Sequence, residues 1–97
     1  MLIIELTYKK SLDEVNHFLD AHINFLDRYY AQGIFIASGP KNPRDGGIIL
    51  ASGDKETISK IICNDPFYQQ EIADYKITQF ELSKYDQLFE SIIRHLD

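Results

Sequence analysis

The chain has 97 residues, of which 44% are hydrophobic and 26% are charged, and its formal net charge is −5 at pH 7. A chain this rich in apolar residues folds around a core, which excludes an intrinsically disordered protein. The excess of acidic residues and the lack of a lysine- or arginine-rich cluster argue against nucleic acid and anionic membranes as partners. No apolar run approaches the roughly 18 residues of a membrane span.

The sequence is typical of a cytoplasmic protein. Its N-terminal residues lack the basic segment and cleavage site of a signal peptide. The single cysteine, Cys63, has no partner for an internal disulfide, and its place near the end of an apolar helix face predicts a core position. We expect one domain over residues 1–97, located in the cytoplasm.

The first predicted elements are a strand and a long helix. Residues 2–7 alternate between two faces, with a consistently apolar side, which indicates a strand. Ser11 followed by Glu14 forms a capping box, so we expect a helix to start at Ser11. Apolar residues then recur at helical spacing as far as about Gln32, and Gly33 suits the position after the helix.

A glycine- and proline-rich loop at residues 39–47 separates two short apolar runs and predicts a hairpin. The remaining elements are predicted as strands at 34–38, 47–51 and about 73–82, and helices at about 55–64 and 85–96. The order β-α-β-β-α-β plus a C-terminal helix fits a ferredoxin-like α+β sandwich, in which two helices cover one face of an antiparallel sheet.

The middle strands, at residues 34–37 and 48–50, are apolar on both faces. Continuous apolar runs are typical of strands that are buried on both sides. Because the helices cover one face, the other face predicts a homodimer formed through the sheet. The alternative is that these residues are partly exposed, which monomeric proteins tolerate.

Three side chains are candidates for chemistry. His22 falls within the apolar stripe of the first helix, where it is either a core histidine bonded to a backbone carbonyl or a general acid or base. Asp65, directly before Pro66, either caps a short helix or holds an imidazole. Ser38 either ends its strand or bonds a ligand.

Two other patterns in the sequence give weaker indications of function. Gly46 and Gly47 allow the backbone to approach a ligand or to adopt a positive φ. His17 and His22 are five residues apart and so do not share a helix face as a metal pair would. We therefore expect no metal and no organic cofactor.

Several short segments stand in a characteristic order between residue 1 and about residue 82. They are 21–26 around His22, Gly33, Ser38-Gly39-Pro40, Gly46-Gly47, Asp65-Pro66-Phe67, and Tyr75 with Ile77 and Phe80. In combination they resemble the YciI-like (YCII-related) family of small proteins, within the dimeric α/β-barrel superfamily.

The resemblance implies a ferredoxin-like fold, dimerisation through the sheet as a dimeric α/β barrel, and a pocket beside a His–Asp pair. Carried over residue by residue, the catalytic pair is His22 and Asp65, with Ser38 and Gly39 binding substrate at the pocket wall. One departure concerns the basic residue that relatives often carry shortly before the histidine. Here residues 18–21 contain no basic residue, so no anion-binding role is expected there.

Three functions follow as hypotheses. The first is an enzyme in which the dyad performs lyase-like acid–base chemistry, an elimination or isomerisation, on a small polar cyclic or aromatic substrate. The alternative is a non-catalytic module that binds or senses a small ligand in the same pocket. A further alternative is a cofactor-free oxygenase, as occurs elsewhere in the superfamily.

Overall fold

A computed structural model describes residues 1–93 of the chain. Its regular elements are β1 (Leu2–Tyr8), α1 (Leu12–His17), α2 (Leu19–Ala31), β2 (Phe35–Pro40), β3 (Gly46–Ala51), α3 (Lys55–Ile62), α4 (Pro66–Gln69), β4 (Ala73–Gln79), a 3₁₀ turn (Gln87–Phe89) and α5 (Glu90–Ile93). Among these residues no helix is both long and apolar enough to cross a membrane.

The four strands form one antiparallel sheet in the order β2-β3-β1-β4. Strand β3 therefore lies between β1 and β2, and the chain from β1 to β2 passes through α1 and α2. This split connection is the ferredoxin-like arrangement, so the predicted fold class is confirmed. The predicted hairpin is also confirmed, because β2 and β3 pair antiparallel across the loop.

The core lies between one face of the sheet and the helices. On β1, Leu2, Ile4 and Leu6 are at most 2% exposed, as the alternation of the sequence predicts. The opposite face of the sheet carries apolar side chains that are more open, and Ile3 and Ile48 are each 37% exposed. The two faces of the sheet therefore differ sharply in burial within one copy of the chain.

The first predicted helix is interrupted at Phe18, so one helix over residues 11–32 is wrong. Ser11 does cap the helix start, since its hydroxyl accepts from the Glu14 N–H at 3.3 Å. At Phe18 the backbone leaves helical geometry, with φ −103° and ψ 4°, and its N–H bonds to the Val15 carbonyl three residues back. That tighter bond ends α1, and α2 begins at the next residue. Gly33 follows α2 with φ +73°, as predicted.

Two further boundaries differ from the predictions by more than two residues. Strand β4 ends at Gln79, three residues before the predicted end, and the Phe80 N–H then bonds to the Met1 carbonyl at 2.9 Å. At the C-terminus, residues 87–93 form the short 3₁₀ turn and α5 instead of a continuous helix from residue 85. The rest of the helix predicted over residues 85–96 lies outside the described residues.

The core position predicted for Cys63 is wrong. The residue follows the last residue of α3 and is exposed, and its thiol donates to the Ser59 carbonyl at 3.4 Å. The apolar face of α3 is formed by Ile58, Ile61 and Ile62. One residue further along a helix the side chain has turned by about 100°, which carries Cys63 off that face.

Gly46 is required by strand packing. A Cβ at this position would lie 1.8 Å from the carbonyl oxygen of Leu6 on the neighbouring strand. Its φ is not positive, which rules out that one of the two roles expected from the sequence, and the neighbouring Gly47 lines the cavity described below. Gly46 lets the start of β3 lie directly against β1.

Candidate functional site

His22 lies in the middle of α2 and faces inward. It shares a buried stripe with Phe25 and Tyr29, three and seven residues later, and is itself 8% exposed. This is the face that the apolar spacing of the sequence predicts. The helix therefore brings an imidazole to the boundary between the core and the helix layer.

Asp65 lies next to His22 and comes from a different part of the chain, the start of α4. It precedes the short helix α4, with Pro66 as the first helical residue, and is fully buried. Its Oδ1 accepts from the backbone N–H of Phe67 at 3.0 Å, which is an N-cap interaction. The capping interpretation of Asp65 is therefore correct, and the cap fixes the direction of the carboxylate.

The two side chains meet in a buried hydrogen bond. His22 Nδ1 lies 2.8 Å from Asp65 Oδ1, although 43 residues separate them in the chain. The hydroxyl of Tyr75 donates to the other carboxylate oxygen, Oδ2. The Phe67 N–H and the Tyr75 hydroxyl both donate to the carboxylate, which suits its acceptor-only form and leaves Oδ1 to accept from His22. His22 therefore carries its proton on Nδ1, which leaves Nε2 as an acceptor when the ring is neutral.

Tyr75 is the member of this network that sequence reasoning missed. The sequence identified it as a strand residue and as part of the family resemblance, without a role in the site. Burial raises the pKa of the Tyr75 phenol far above its usual range, and the nearby Asp65 charge raises that pKa further. The phenol therefore keeps its proton at neutral pH and donates a hydrogen bond to Asp65. The available signal was its place on the inward face of β4, where a tyrosine hydroxyl needs a partner.

Phe67 fixes the plane of the imidazole. Its ring is 1% exposed and stacks on His22, with centroids 4.0 Å apart and planes 4° from parallel. One edge of the imidazole is thus bonded to Asp65 and one face is covered by Phe67.

A cavity of about 390 Å³ is lined in part by His22. Its walls are mostly apolar, and they are formed by Leu6, Tyr8, Leu19, His22, Ile23, Leu26, Ser38, Gly39, Pro40, Arg44, Gly47, Ile48, Ile49 and Phe67. Within residues 1–93, Nε2 of His22 has no hydrogen-bond partner. Since Nδ1 bonds to Asp65, Nε2 is the ring nitrogen that remains open to a further hydrogen bond.

The structure brings three of the four site candidates to this cavity. His22, Ser38 and Gly39 line it, whereas Asp65 lies behind the imidazole and away from the wall. The Ser38 hydroxyl is 2.7 Å from the Tyr30 hydroxyl, so the serine is already positioned by α2. Either hydroxyl can be the donor, which leaves the pair able to donate or accept one further bond.

The described part of the chain contains no group of three or more His, Cys, Asp or Glu side chains arranged to hold a metal ion. A histidine that bonds to a carboxylate through Nδ1 is chemically able to transfer a proton at its other ring nitrogen, Nε2. The hydrogen bond to Asp65 orients the ring.

Comparison with a solved structure supports the fold. The chain is similar to the 5-chloro-2-hydroxyhydroquinone dehydrochlorinase of Burkholderia phenoliruptrix, solved in complex with 2,5-dihydroxybenzoquinone. The TM-score is 0.69 at 16% sequence identity, and the alignment covers 84% of this chain and 94% of the dehydrochlorinase. At this identity the similarity establishes a shared fold.

Comparison with families and with curated proteins gave one further result each. No curated protein matches the sequence. The YCII-related domain matches residues 1–81, which include every element from β1 to β4. The chain therefore belongs to the YCII-related domain family.

Proposed function

We propose that the protein is an enzyme in which His22 and Asp65 act as a general acid–base dyad in an elimination or isomerisation. The observation that carries the proposal is the division of roles between the two ring nitrogens. Nδ1 bonds to a buried carboxylate at 2.8 Å, and the same residue lines a cavity of about 390 Å³, into which we propose that Nε2 points. A histidine held in one tautomer, with its second nitrogen open to a ligand, is the arrangement that general base catalysis uses.

In the proposed reaction Nε2 removes a proton from a carbon or oxygen of the bound molecule. The electron pair left on the substrate forms a new double bond, and in an elimination the leaving group departs with its own bonding pair. Asp65 stabilises the imidazolium that forms, and the imidazolium returns its proton to the product, the leaving group or solvent. In an isomerisation the same proton returns to a different atom. Neither route needs a redox partner.

The expected substrate is a small cyclic or aromatic molecule. A volume of about 390 Å³ accommodates one substituted ring, and apolar side chains form most of the walls. Ser38 and Gly39 at the wall are proposed to hold a polar substituent of that ring. The fold shared with a dehydrochlorinase that was solved with a dihydroxybenzoquinone supports this substrate class.

The proposal extends to the assembly. Residues 1–97 are proposed to form a single domain, and two copies are proposed to pair through the outer face of the sheet. Ile3 and Ile48 are 37% exposed on that face, and Leu50 lies opposite Ile3 on the adjacent strand. Pairing these faces would bury apolar surface that a domain of this size leaves open.

The test is turnover of 5-chloro-2-hydroxyhydroquinone, followed as chloride release and as product by mass spectrometry. We expect His22→Gln to lower the rate by about 100-fold or more, the usual contribution of a general acid or base. His17→Gln is the matched control, since His17 is exposed in α1 and does not line the cavity. Equal rates for both variants would contradict the proposal.

The same assay separates the alternatives. Thermal stabilisation by 2,5-dihydroxybenzoquinone without any product would support a binding or sensor module. Oxygen consumption coupled to loss of the phenol would support a cofactor-free oxygenase.

A further inference from the structure

The cavity wall contains one permanently charged side chain within the described part of the chain, that of Arg44. Arg44 lies in the loop between β2 and β3, and its guanidinium donates to the Asn16 side-chain oxygen on α1 at 2.9 Å. This bond ties the loop to α1. An arginine has five N–H donors, so several remain available to a ligand.

The arginine is not part of an ion pair within residues 1–93. No carboxylate there lies within 4.0 Å of its guanidinium. Lys41, from the same loop, behaves differently: it bonds to Glu5 at 2.9 Å and to Thr7 at 3.3 Å. The hydrogen bond and charge of Lys41 hold the pKa of the Glu5 carboxyl below its usual range. Of these two loop cations, Lys41 is committed to the sheet and Arg44 faces the cavity.

Among the described residues Arg44 has no ion-pair partner, and it lines a mostly apolar cavity. The protein as a whole has a net charge of −5. The acidic surface as a whole repels anions, so the charge at this position acts locally and does not steer ligands over a long range. Arg44 is exposed to solvent, so its attraction to an anion depends on direct hydrogen bonds from the guanidinium more than on burial of the charge. The planar fork of an arginine also matches a carboxylate or an oxyanion in geometry.

We infer that Arg44 is the specificity-determining residue of the cavity and that it binds a negatively charged substituent, a carboxylate or ring oxyanion, on a cyclic substrate. The inference rests on the proposed function and names the substrate class for the same site. The apolar walls hold the ring, Arg44 holds the anionic substituent, and Nε2 of His22 acts on a proton elsewhere on the molecule. Asn16 restrains the guanidinium before binding, which lowers the entropy lost when the ion pair forms.

The experiment compares two ligands of the same shape and different charge, 2,5-dihydroxybenzoate and 2,5-dihydroxybenzamide, by isothermal titration calorimetry. We expect the unaltered protein to bind the benzoate roughly tenfold or more tightly than the benzamide, as a hydrogen bond to a charged group implies. Arg44→Gln should abolish that preference, and Arg44→Lys should restore part of it. Lys41→Gln, in the same loop and outside the cavity, should preserve it.

Equal affinities for the two ligands, binding of neither, or an unchanged preference in Arg44→Gln would overturn the inference. The chloride-release assay keeps this result separate from the proposed function. A preference that depends on Arg44 without turnover of any substrate would refute the enzyme and leave the anion site. Turnover that depends on His22 without a preference for the benzoate would refute the anion site and leave the enzyme.

Discussion

Phe67 contacts both members of the His22–Asp65 pair, which lie 43 residues apart in the sequence. Its ring lies flat on the imidazole at 4.0 Å, and its backbone N–H caps Asp65 Oδ1 at 3.0 Å. Because both contacts come from one residue in the first turn of α4, the imidazole and carboxylate are held relative to the same point. The geometry of the pair therefore depends on a residue that carries no functional group.

Replacing Phe67 with leucine should separate these two roles. Phe67→Leu keeps the backbone cap on Asp65 and removes the stacked ring, so we expect a loss of stability of about 1–3 kcal/mol and a rate about tenfold lower. Phe25→Leu is the control, because Phe25 is as deeply buried as Phe67 but its ring centroid lies 6.2 Å from that of the His22 imidazole. Denaturant unfolding and turnover measure the two effects. A rate loss of the same size in Phe25→Leu would show that packing alone, and not ring orientation, is responsible.

The charge of Asp65 should matter more to the rate than its size. Asp65→Asn keeps the shape and removes the negative charge that stabilises the imidazolium, so we expect turnover to fall by about 10²- to 10⁴-fold. We also expect a stability cost of about 1–3 kcal/mol, because the amide nitrogen, which donates, replaces one of the two oxygens that accept from His22, Phe67 and Tyr75.

Asp54→Asn is the matched control for this substitution. Asp54 caps α3, accepting from the Thr57 N–H at 2.8 Å, and lies outside the cavity. Asparagine is an equally good cap, so that variant should fold and turn over normally. Normal turnover by Asp65→Asn, with the fold intact, would remove the carboxylate from the mechanism.

Tyr75 should make the protein sensitive to alkaline pH. Burial and the Asp65 charge raise the pKa of the Tyr75 phenol above the value near 10 of the unfolded chain. The folded state therefore retains this proton to a higher pH than the unfolded chain does. The stabilisation is therefore complete below about pH 10 and is lost as the pH rises above it, at about 1.4 kcal/mol per pH unit.

Tyr75→Phe should weaken this alkaline loss and lower stability at neutral pH by about 1–3 kcal/mol, since Asp65 Oδ2 loses its donor. Tyr68→Phe is the control, because Tyr68 is 48% exposed and packs beside Tyr75 with ring centroids 5.8 Å apart. The measurement is the free energy of unfolding by urea between about pH 8 and 11, which brackets the ordinary pKa of a tyrosine. The same alkaline loss in the unaltered protein and in Tyr75→Phe would show that the phenol is not its source.

The sequence was sufficient for the architecture because hydrophobic periodicity reports which side of each element is buried. The alternation over residues 2–7 located the inward face of β1, and the spacing from Phe25 to Tyr29 located that of α2. The break at Phe18 was not predictable in this way, since neither glycine nor proline marks it. An exposed Cys63 was missed because a single step at a helix end changes the face, and boundaries are the least certain part of a pattern.

The residues of the site likewise divide into those that local sequence patterns indicate and those that they do not. The buried stripe of α2 singled out His22, and the position before Pro66 left Asp65 as either a helix cap or an imidazole partner. The resemblance to the YCII-related family paired the two as site residues. Tyr75 and Arg44 were missed as members of the site, because their roles come from contacts that local periodicity does not encode. The Tyr75 phenol meets a carboxylate ten residues away that is turned by a helix cap, and Arg44 is placed by a loop held to Asn16.

Gly46 should be intolerant of any side chain. A Cβ there would lie 1.8 Å from the Leu6 carbonyl oxygen, which is backbone and cannot move aside without separating β3 from β1. We expect Gly46→Ala to cost about 3 kcal/mol or more. Gly39→Ala is the control for folding, since a methyl group on its Cα would meet no atom within 4 Å beyond the adjacent residues. Equal stability of the two variants, measured by thermal unfolding, would contradict this account of the β1–β3 contact.

The proposed dimer predicts that a substitution on the outer face of the sheet disrupts association. Ile3 lies on a central strand of that face and is 37% exposed, so Ile3→Lys would place a charge in the proposed interface. We expect the unaltered protein to sediment at twice its chain mass of 11.3 kDa and Ile3→Lys to sediment as a monomer. Leu12→Lys is the control, because Leu12 is 46% exposed on α1, away from the sheet. An unaltered protein that sediments as a monomer, or dimers in both variants, would place the contact elsewhere or remove it.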